Sequence, residues 1–444
     1  MPRIAAKALQ TALATLCLGA AAVASPPTVV SCLPDHGDAG VDPALKTIRV
    51  EFDQEMAAQG HSVCGGPRMP TLTGKPVWES PRVLLIPVAL AGGREYELSI
   101  NCPSANNFKN AAGEPAEITP IFFRTAADGA APTPQVELSR EENEHALDAL
   151  AKAIDERYAY RDRVVKDWKA LLGDLRLEAA PAPTPGAFAR AVARALGAAQ
   201  DPHIALRIGT APVATIRSTV TPNCDPRRLE KVIPGFSRQG IFATGRFDDG
   251  VGYLAVFAWP SDPASLDGAV QAVKAMADAP GMIIDVRLNG GGDEVAARRI
   301  ASLFTRARTV YSRNHFRDPS QPDGWGKMLV RSIAPAEGGT AYSGKVAVLI
   351  GPVCMSSNES FILMMKHGAN ATLVGGQTRG SSGNPKPHDL GNGVTVLLPS
   401  WEDFLPDGSP LEGRGITPDL RADLGSDAAK DGVLDAALAH IRAK

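Results

Sequence analysis

Long apolar runs are scarce in this chain of 444 residues. Beyond the first 24, no segment has 18 uninterrupted apolar residues, too few for a membrane-spanning helix, so no stable membrane insertion is expected. An excess of one charge is also missing: 46 Lys+Arg face 48 Asp+Glu, leaving a formal net charge of −2. That balance argues against an extended nucleic-acid surface, which needs a basic stripe to neutralise phosphates. Metal-ligand spacing is lacking, with no CxxC, no HExxH and eight histidines scattered along the chain, so neither a metal nor a cofactor is expected. Cysteine is sparse at six. What remains is ordinary globular composition, 44% hydrophobic and 21% charged, with length enough for two or three domains.

Residues 1–24 read as a signal peptide. Arg3 and Lys7 precede an apolar run from Ala8 to Val23, which closes in the small-x-small pattern Ala22-Val23-Ala24. The mature chain is then expected to start at Ser25 and to be exported, periplasmic or secreted. Removing Cys17 leaves Cys32, Cys64, Cys102, Cys224 and Cys354, an odd count that implies a free thiol or an intermolecular bridge. One disulfide among Cys32, Cys64 and Cys102 suits an oxidising compartment, with the pair open.

From residue 26 to 126, short alternating apolar runs separated by turn residues predict an all-β sandwich: Lys46 to Phe52, Arg82 to Val88, Glu95 to Cys102 and Ile118 to Arg124. An Ala/Pro/Gly linker, Ala126 to Gln135, follows. Residues 136–210 predict a helical segment, with Ser139 capping a helix through Leu147, Leu150, Ile154 and Tyr158 and a second helix from Ala187 to Ala198. In 211–444, apolar strand runs alternate with helices (VGYLAVF, GMIIDVRL, KVAVLIG, ATLVGG), the rhythm of an α/β core with buried strands.

Four small segments carry candidate chemistry. Asp285-Val286-Arg287-Leu288-Asn289-Gly290-Gly291-Gly292 ends a predicted strand; its glycines suit an oxyanion hole of backbone N–H groups, or simply a tight strand-to-helix turn. No Lys-Ser/Thr follows them, which argues against a phosphate-binding loop. In Cys354-Met355-Ser356-Ser357-Asn358-Glu359, Ser356 opens a helix, either as a nucleophile or as the N-cap of a Ser356-x-x-Glu359 capping box. Asp201-Pro202-His203 offers an imidazole that could act as base near neutrality, or an ordinary structural histidine. Glu412, in Leu411-Glu412-Gly413-Arg414-Gly415-Ile416-Thr417-Pro418-Asp419, could orient that imidazole, or be a surface carboxylate in a glycine turn.

Together, and in this order, the D-x-R-x-N-G-G-G loop, the S-x-x-E loop and the E-G-x-G-I-x-P-D ending resemble the serine peptidase family of C-terminal processing (tail-specific) peptidases, tricorn core proteases and retinoid-binding-protein repeats, over roughly residues 140 to 444. The front module, opening "IRVEFDQEM", resembles bacterial immunoglobulin-like modules. Tail-specific members use a serine with a lysine in a T-x-G-K-G loop. Here that loop is Thr378-Arg379-Gly380-Ser381, so Ser381 stands where the lysine would be and that dyad is lost. The tricorn-like branch pairs its serine with His and Glu, whose counterparts are His203 and Glu412. The stretch between His203 and Gly252 is too short for the PDZ domain of many tail-specific members.

The resemblance implies a multidomain protein: an immunoglobulin-like sandwich, a helical segment, and an α/β core of the crotonase-like ββα spiral type. It implies a serine peptidase acting on a peptide or protein through an acyl-enzyme. Ser356 would be nucleophile, His203 base and Glu412 its orienting carboxylate, with backbone N–H groups of Ser357 and of Gly291 or Gly292 as the oxyanion hole. Activity should then rise with pH through the ordinary imidazole pKa of about 6.5. The same fold also admits a catalytically silent ligand-binding protein, motivated by the missing lysine and by Cys354-Met355, or an esterase with the same triad. Substrate-binding residues and oligomeric state are left open.

Overall fold

Alternation of apolar and polar residues, as in Thr47–Phe52, where every second side chain is buried, builds the first of two units in the computed structural model. The structure describes residues 25–217, 219–338 and 341–443; the signal-peptide expectation for 1–24 falls outside them. One unit ends at Pro134 and the other runs from Gln135 to Lys444.

In the first unit, Val29–Leu33, Thr47–Phe52, Val77–Ser80, Val83–Ala89 and Thr71–Leu72 form one sheet, and Ala39–Val41, Thr119–Thr125, Glu95–Ile100 and Val63–Cys64 the other. Side chains from both, among them Ile48, Val50, Leu84, Leu98, Ile121 and Phe123, share one core. Cys64 and Cys102 are disulfide-bonded, while Cys32, Cys224 and Cys354 are buried thiols.

The second unit is centred on a seven-stranded sheet in which Gly252–Val256, Gly281–Asp285, Lys345–Ile350 and Thr372–Gly375 run parallel. Their side chains feed two cores. Leu254, Ile284 and Val348 pack with Phe361 and Ile300 on one face; Tyr253, Ile283 and Ala347 pack with Leu229, Leu434 and Leu438 on the other. Burial on both faces is why these strands read as continuous apolar runs. A helix at Gly432–Arg442, not anticipated above, covers the second face.

Three helices lead into this unit: Arg140–Arg157, Trp168–Ala179 and Pro185–Leu196. The first is fixed by the expected Ser139, whose hydroxyl and Glu142 form a reciprocal capping box. Beyond the third, Ala205–Ile208 pairs with both Ala211–Ala214 and Val394–Pro399. Its hairpin with Ala211–Ala214 straddles the 210/211 division read from the sequence, and its pairing with Val394–Pro399 binds the helical segment to the C-terminal part. His203, two residues before it, is thereby carried to the loops that follow the central strands.

Candidate active site

The glycine loop leaves the strand Gly281–Asp285 and is anchored by charge. Arg287 is 0% exposed, holds Asp285 bidentately (Nε to Oδ1 3.0 Å, Nη2 to Oδ2 2.7 Å) and donates to Asp431 Oδ1 at 2.9 Å. A buried charge is tolerated only when paired in this way. Gly291 and Gly292 then take φ of 113° and 132°, and a Cβ at Gly292 would lie 1.9 Å from the Trp259 carbonyl oxygen. Only glycine fits there. At Gly291 a Cβ would sit 2.8 Å from that of Ser356, so this loop lies directly against the serine. The N–H of Gly291 donates to Asn289 Oδ1 at 2.8 Å, which takes Gly291 out of the expected oxyanion donors. Gly292 and Ser357 give their N–H groups to no partner among the described residues.

Ser356 joins the strand Lys345–Ile350 to the helix Ser357–Gly368 with φ 58° and ψ −136°, and its hydroxyl makes no cap. The capping-box alternative therefore fails. Glu359, fully buried, reaches away from Ser356 to accept from the Thr378 hydroxyl, Gly380 N (2.8 Å) and Ser381 N (2.9 Å). A non-glycine residue at positive φ at the start of a helix is strained, and such turns present a hydroxyl to a cleft. Asn358 ties helix to glycine loop: Nδ2 donates to the carbonyls of Val286 (3.1 Å) and Asn289 (2.9 Å), and Oδ1 accepts from Trp259 Nε1 (3.2 Å). Cys354 donates to Val286 O at 3.2 Å; burial pushes its thiol up to about 12, so it stays protonated.

His203 lies buried beside this loop. Its backbone N–H donates to Asp201 Oδ1 at 2.9 Å, and its Nδ1 is 2.8 Å from Ser381 Oγ. Nε2 is buried and has no hydrogen-bond partner among the described residues. Ser381 also accepts the backbone N–H of Ser356 on its carbonyl at 2.6 Å, so one residue meets both candidate groups. The side chains of His203 and Ser356 are not hydrogen-bonded to each other. Burial, with the Arg379 cation as a smaller cause, pushes the imidazole down to about 4 and keeps it neutral at pH 7.

Glu412 does not reach the ring. Its Oε2 accepts from Ser382 N at 2.9 Å, and burial together with the nearby Asp201 pushes its carboxyl up to about 8. It is therefore largely uncharged at neutral pH, unlike the ionised carboxylate that the sequence suggested behind the imidazole. Asp403, raised to about 6 by burial, accepts from the hydroxyls of Ser382 (2.8 Å) and Ser312 (2.5 Å). The Ser381-Ser382 turn is thus held by Glu359, Glu412 and Asp403 at once.

Two clefts flank the histidine. One, of about 300 Å³, is mainly apolar and is lined by Ile204, Ala205, Ile216, Val353, Met355 and Gly290, with Arg379 also on its wall. The other, of about 220 Å³, includes the polar side chains of Tyr160, Arg163, Asp201, Arg379, Ser381 and Glu412. Among the described residues no group of three His, Cys, Asp or Glu side chains is placed to hold a metal ion. Asn358, Asn289 and the Ser381 contact were not read from the sequence. Ser381 did carry a signal, as a small hydroxyl where a lysine was expected.

A model of peptidase family S41 matches residues 250–422, which takes in the glycine loop, Ser356, Ser381 and Glu412 but not His203. No curated protein matches the chain. Among solved structures, a putative peptidase from Parabacteroides merdae is 22% identical, with a TM-score of 0.59 over 69% of this chain and 98% of that one. The photosystem II D1 C-terminal processing protease is 16% identical, with a TM-score of 0.44 over 67% and 97%. Mature CPAF is 11% identical, with a TM-score of 0.48 over 68% and 97%. At these identities the first likeness speaks for the fold alone. By the family match, residues 250–422 belong to peptidase family S41, and the chain is a serine-type peptidase.

Proposed function

We propose that Ser356 is the nucleophile and His203 the base of an acyl-enzyme mechanism that hydrolyses peptide bonds. The observation that carries this reading is a buried neutral imidazole with an unpartnered Nε2, joined through Ser381 to a serine at positive φ. Ser356 Oγ attacks the scissile carbonyl while its proton passes to His203 Nε2. The N–H groups of Gly292 and Ser357 hold the oxyanion, and the protonated ring then gives its proton to the leaving amine. The hydrogen bond between the two side chains closes around the substrate, as such bonds commonly do. The apolar cleft beside Met355 and Gly290 receives an apolar substrate side chain.

The same reading makes the protein exported, with the first unit as an immunoglobulin-like spacer and the core of crotonase-like type. The Cys64–Cys102 bridge supports an oxidising compartment. The experiment is covalent labelling with a fluorophosphonate, followed by peptide turnover. Ser356→Ala should lose both, and His203→Ala should slow both by about 10² to 10⁴-fold. Labelling that persists in Ser356→Ala would place the nucleophile elsewhere.

A further inference from the structure

We propose that Ser381 is the positioning residue for His203, in the place where a triad would put a carboxylate; this rests on the reading of Ser356 and His203 as the acylating pair. Nε2 can take the serine proton only if the neutral ring carries its own proton on Nδ1, and a ring holds that tautomer when an acceptor faces Nδ1. The oxygen facing Nδ1 here is Ser381 Oγ, at 2.8 Å and 2% exposed, and in the proposed tautomer it accepts the ring proton. Each nearby carboxylate is engaged elsewhere. Asp201 takes the His203 backbone N–H and the Tyr158 hydroxyl, Glu412 takes Ser382 N, and Glu359 takes Thr378, Gly380 and Ser381 N.

Ser381 is itself fixed at three points: its N–H on Glu359, its carbonyl on the Ser356 N–H, and its hydroxyl on the imidazole. It sets the ring's tautomer and its registration to the nucleophile's backbone together. During acylation the Ser356 proton moves to Nε2, the Nδ1 proton stays on the ring, and Ser381 remains a neutral hydroxyl. Burial first, and the Arg379 cation second, make this a base of low basicity. A lysine at 381 offers donors only and would set a cation against the imidazole. Serine at 381 and histidine at 203 therefore form one arrangement, and the substitution is a replacement of the base rather than its loss.

The test uses the full chain labelled with ¹⁵N-histidine, with the ring nitrogens of residue 203 assigned by comparison with His203→Ala. In the wild type Nδ1 should carry the proton. In Ser381→Ala the ring should shift towards the Nε2–H tautomer, and fluorophosphonate labelling of Ser356 should slow by about 10²-fold, less than the 10⁴-fold that loss of the right tautomer costs in a Ser-His-Asp triad. Ser381→Thr should restore both the tautomer and much of the rate. The proposal is overturned if Ser381→Ala keeps the Nδ1–H tautomer, whether the rate is unchanged or falls equally in the alanine and threonine variants. Labelling of Ser356→Ala, or a wild-type rate in His203→Ala, would instead overturn the underlying assignment of the pair.

Discussion

Replacing Asn358 by leucine should separate the stability of the second unit from its catalysis. The side chain is fully buried and makes three hydrogen bonds, to Val286 O, Asn289 O and Trp259 Nε1. Val286 O keeps a partner in the Cys354 thiol, so leucine leaves one carbonyl and one indole N–H buried and unpaired. At about 1–3 kcal/mol for each of these two orphaned groups, the loss is about 2–6 kcal/mol. For a unit of roughly 310 residues, with about 2.1 cal/mol/K of unfolding entropy per residue, that lowers Tm by about 3–9 °C. Asn143 is a matched control in the helical lead-in: it too is fully buried with three bonds, to Ala180 O, Ala182 O and Asn392 Nδ2. Both variants should melt early in thermal unfolding followed by circular dichroism. Only Asn358→Leu should also lose about 10²-fold in kcat, because it frees Gly292 from Ser357 by the ångström or so that matters to an oxyanion hole. Equal kcat in the two variants would refute the idea that this bridge positions the donors. An unchanged Tm would refute the hydrogen-bond accounting.

Since burial holds His203 down to about 4, Ser356 labelling should rise with pH around 4 and be flat from about 5 to 8, rather than rising near 6.5; Arg379→Gln, which removes a depressing cation, should move the midpoint up. The same histidine is harder to protonate folded than unfolded, so its contribution to stability should be lost as pH falls from about 6.5 to about 4, measurable by urea unfolding. Glu412→Gln mimics the protonated carboxyl present at pH 7 and keeps an acceptor for Ser382 N. It should retain turnover within a few-fold at pH 7 and remove the stability loss that the raised carboxyl brings as pH climbs from about 4.5 to about 8. A large loss at pH 7 would restore a charged triad carboxylate. Ala205→Phe should fill the apolar cleft and cut kcat/KM for substrates with a large apolar side chain there by about 10–10²-fold, the worth of burying one such side chain, while sparing alanine-sized ones.

Local pattern made much of the scaffold readable. Period-two burial in Thr47–Phe52, two-faced apolar runs such as Gly281–Asp285 and the Ser139/Glu142 box each depend on near neighbours in sequence. The Gly432–Arg442 helix carries the same kind of signal in Val433, Leu434, Ala437, Leu438 and Ile441, behind a polar loop that hides its start. Around the candidate site, local pattern misleads. Ser356-x-x-Glu359 spells a cap, yet Ser356 adopts positive φ and Glu359 serves a loop about 20 residues on. The imidazole's partner is 178 residues away in sequence, and the family resemblance favoured Glu412 over Ser381. Which buried group faces which nitrogen is decided by sheet pairing, above all that of Ala205–Ile208 with Val394–Pro399.

That pairing also orders events during synthesis. The strand that carries His203 finds Val394–Pro399 only after the long stretch between them has left the ribosome, and Ser381 emerges scarcely earlier. A nascent or prematurely ended polypeptide can make the serine turn yet has no means of seating the ring beside it. On the proposed assignment, acylating capacity is thus withheld until the chain has been made as far as that strand.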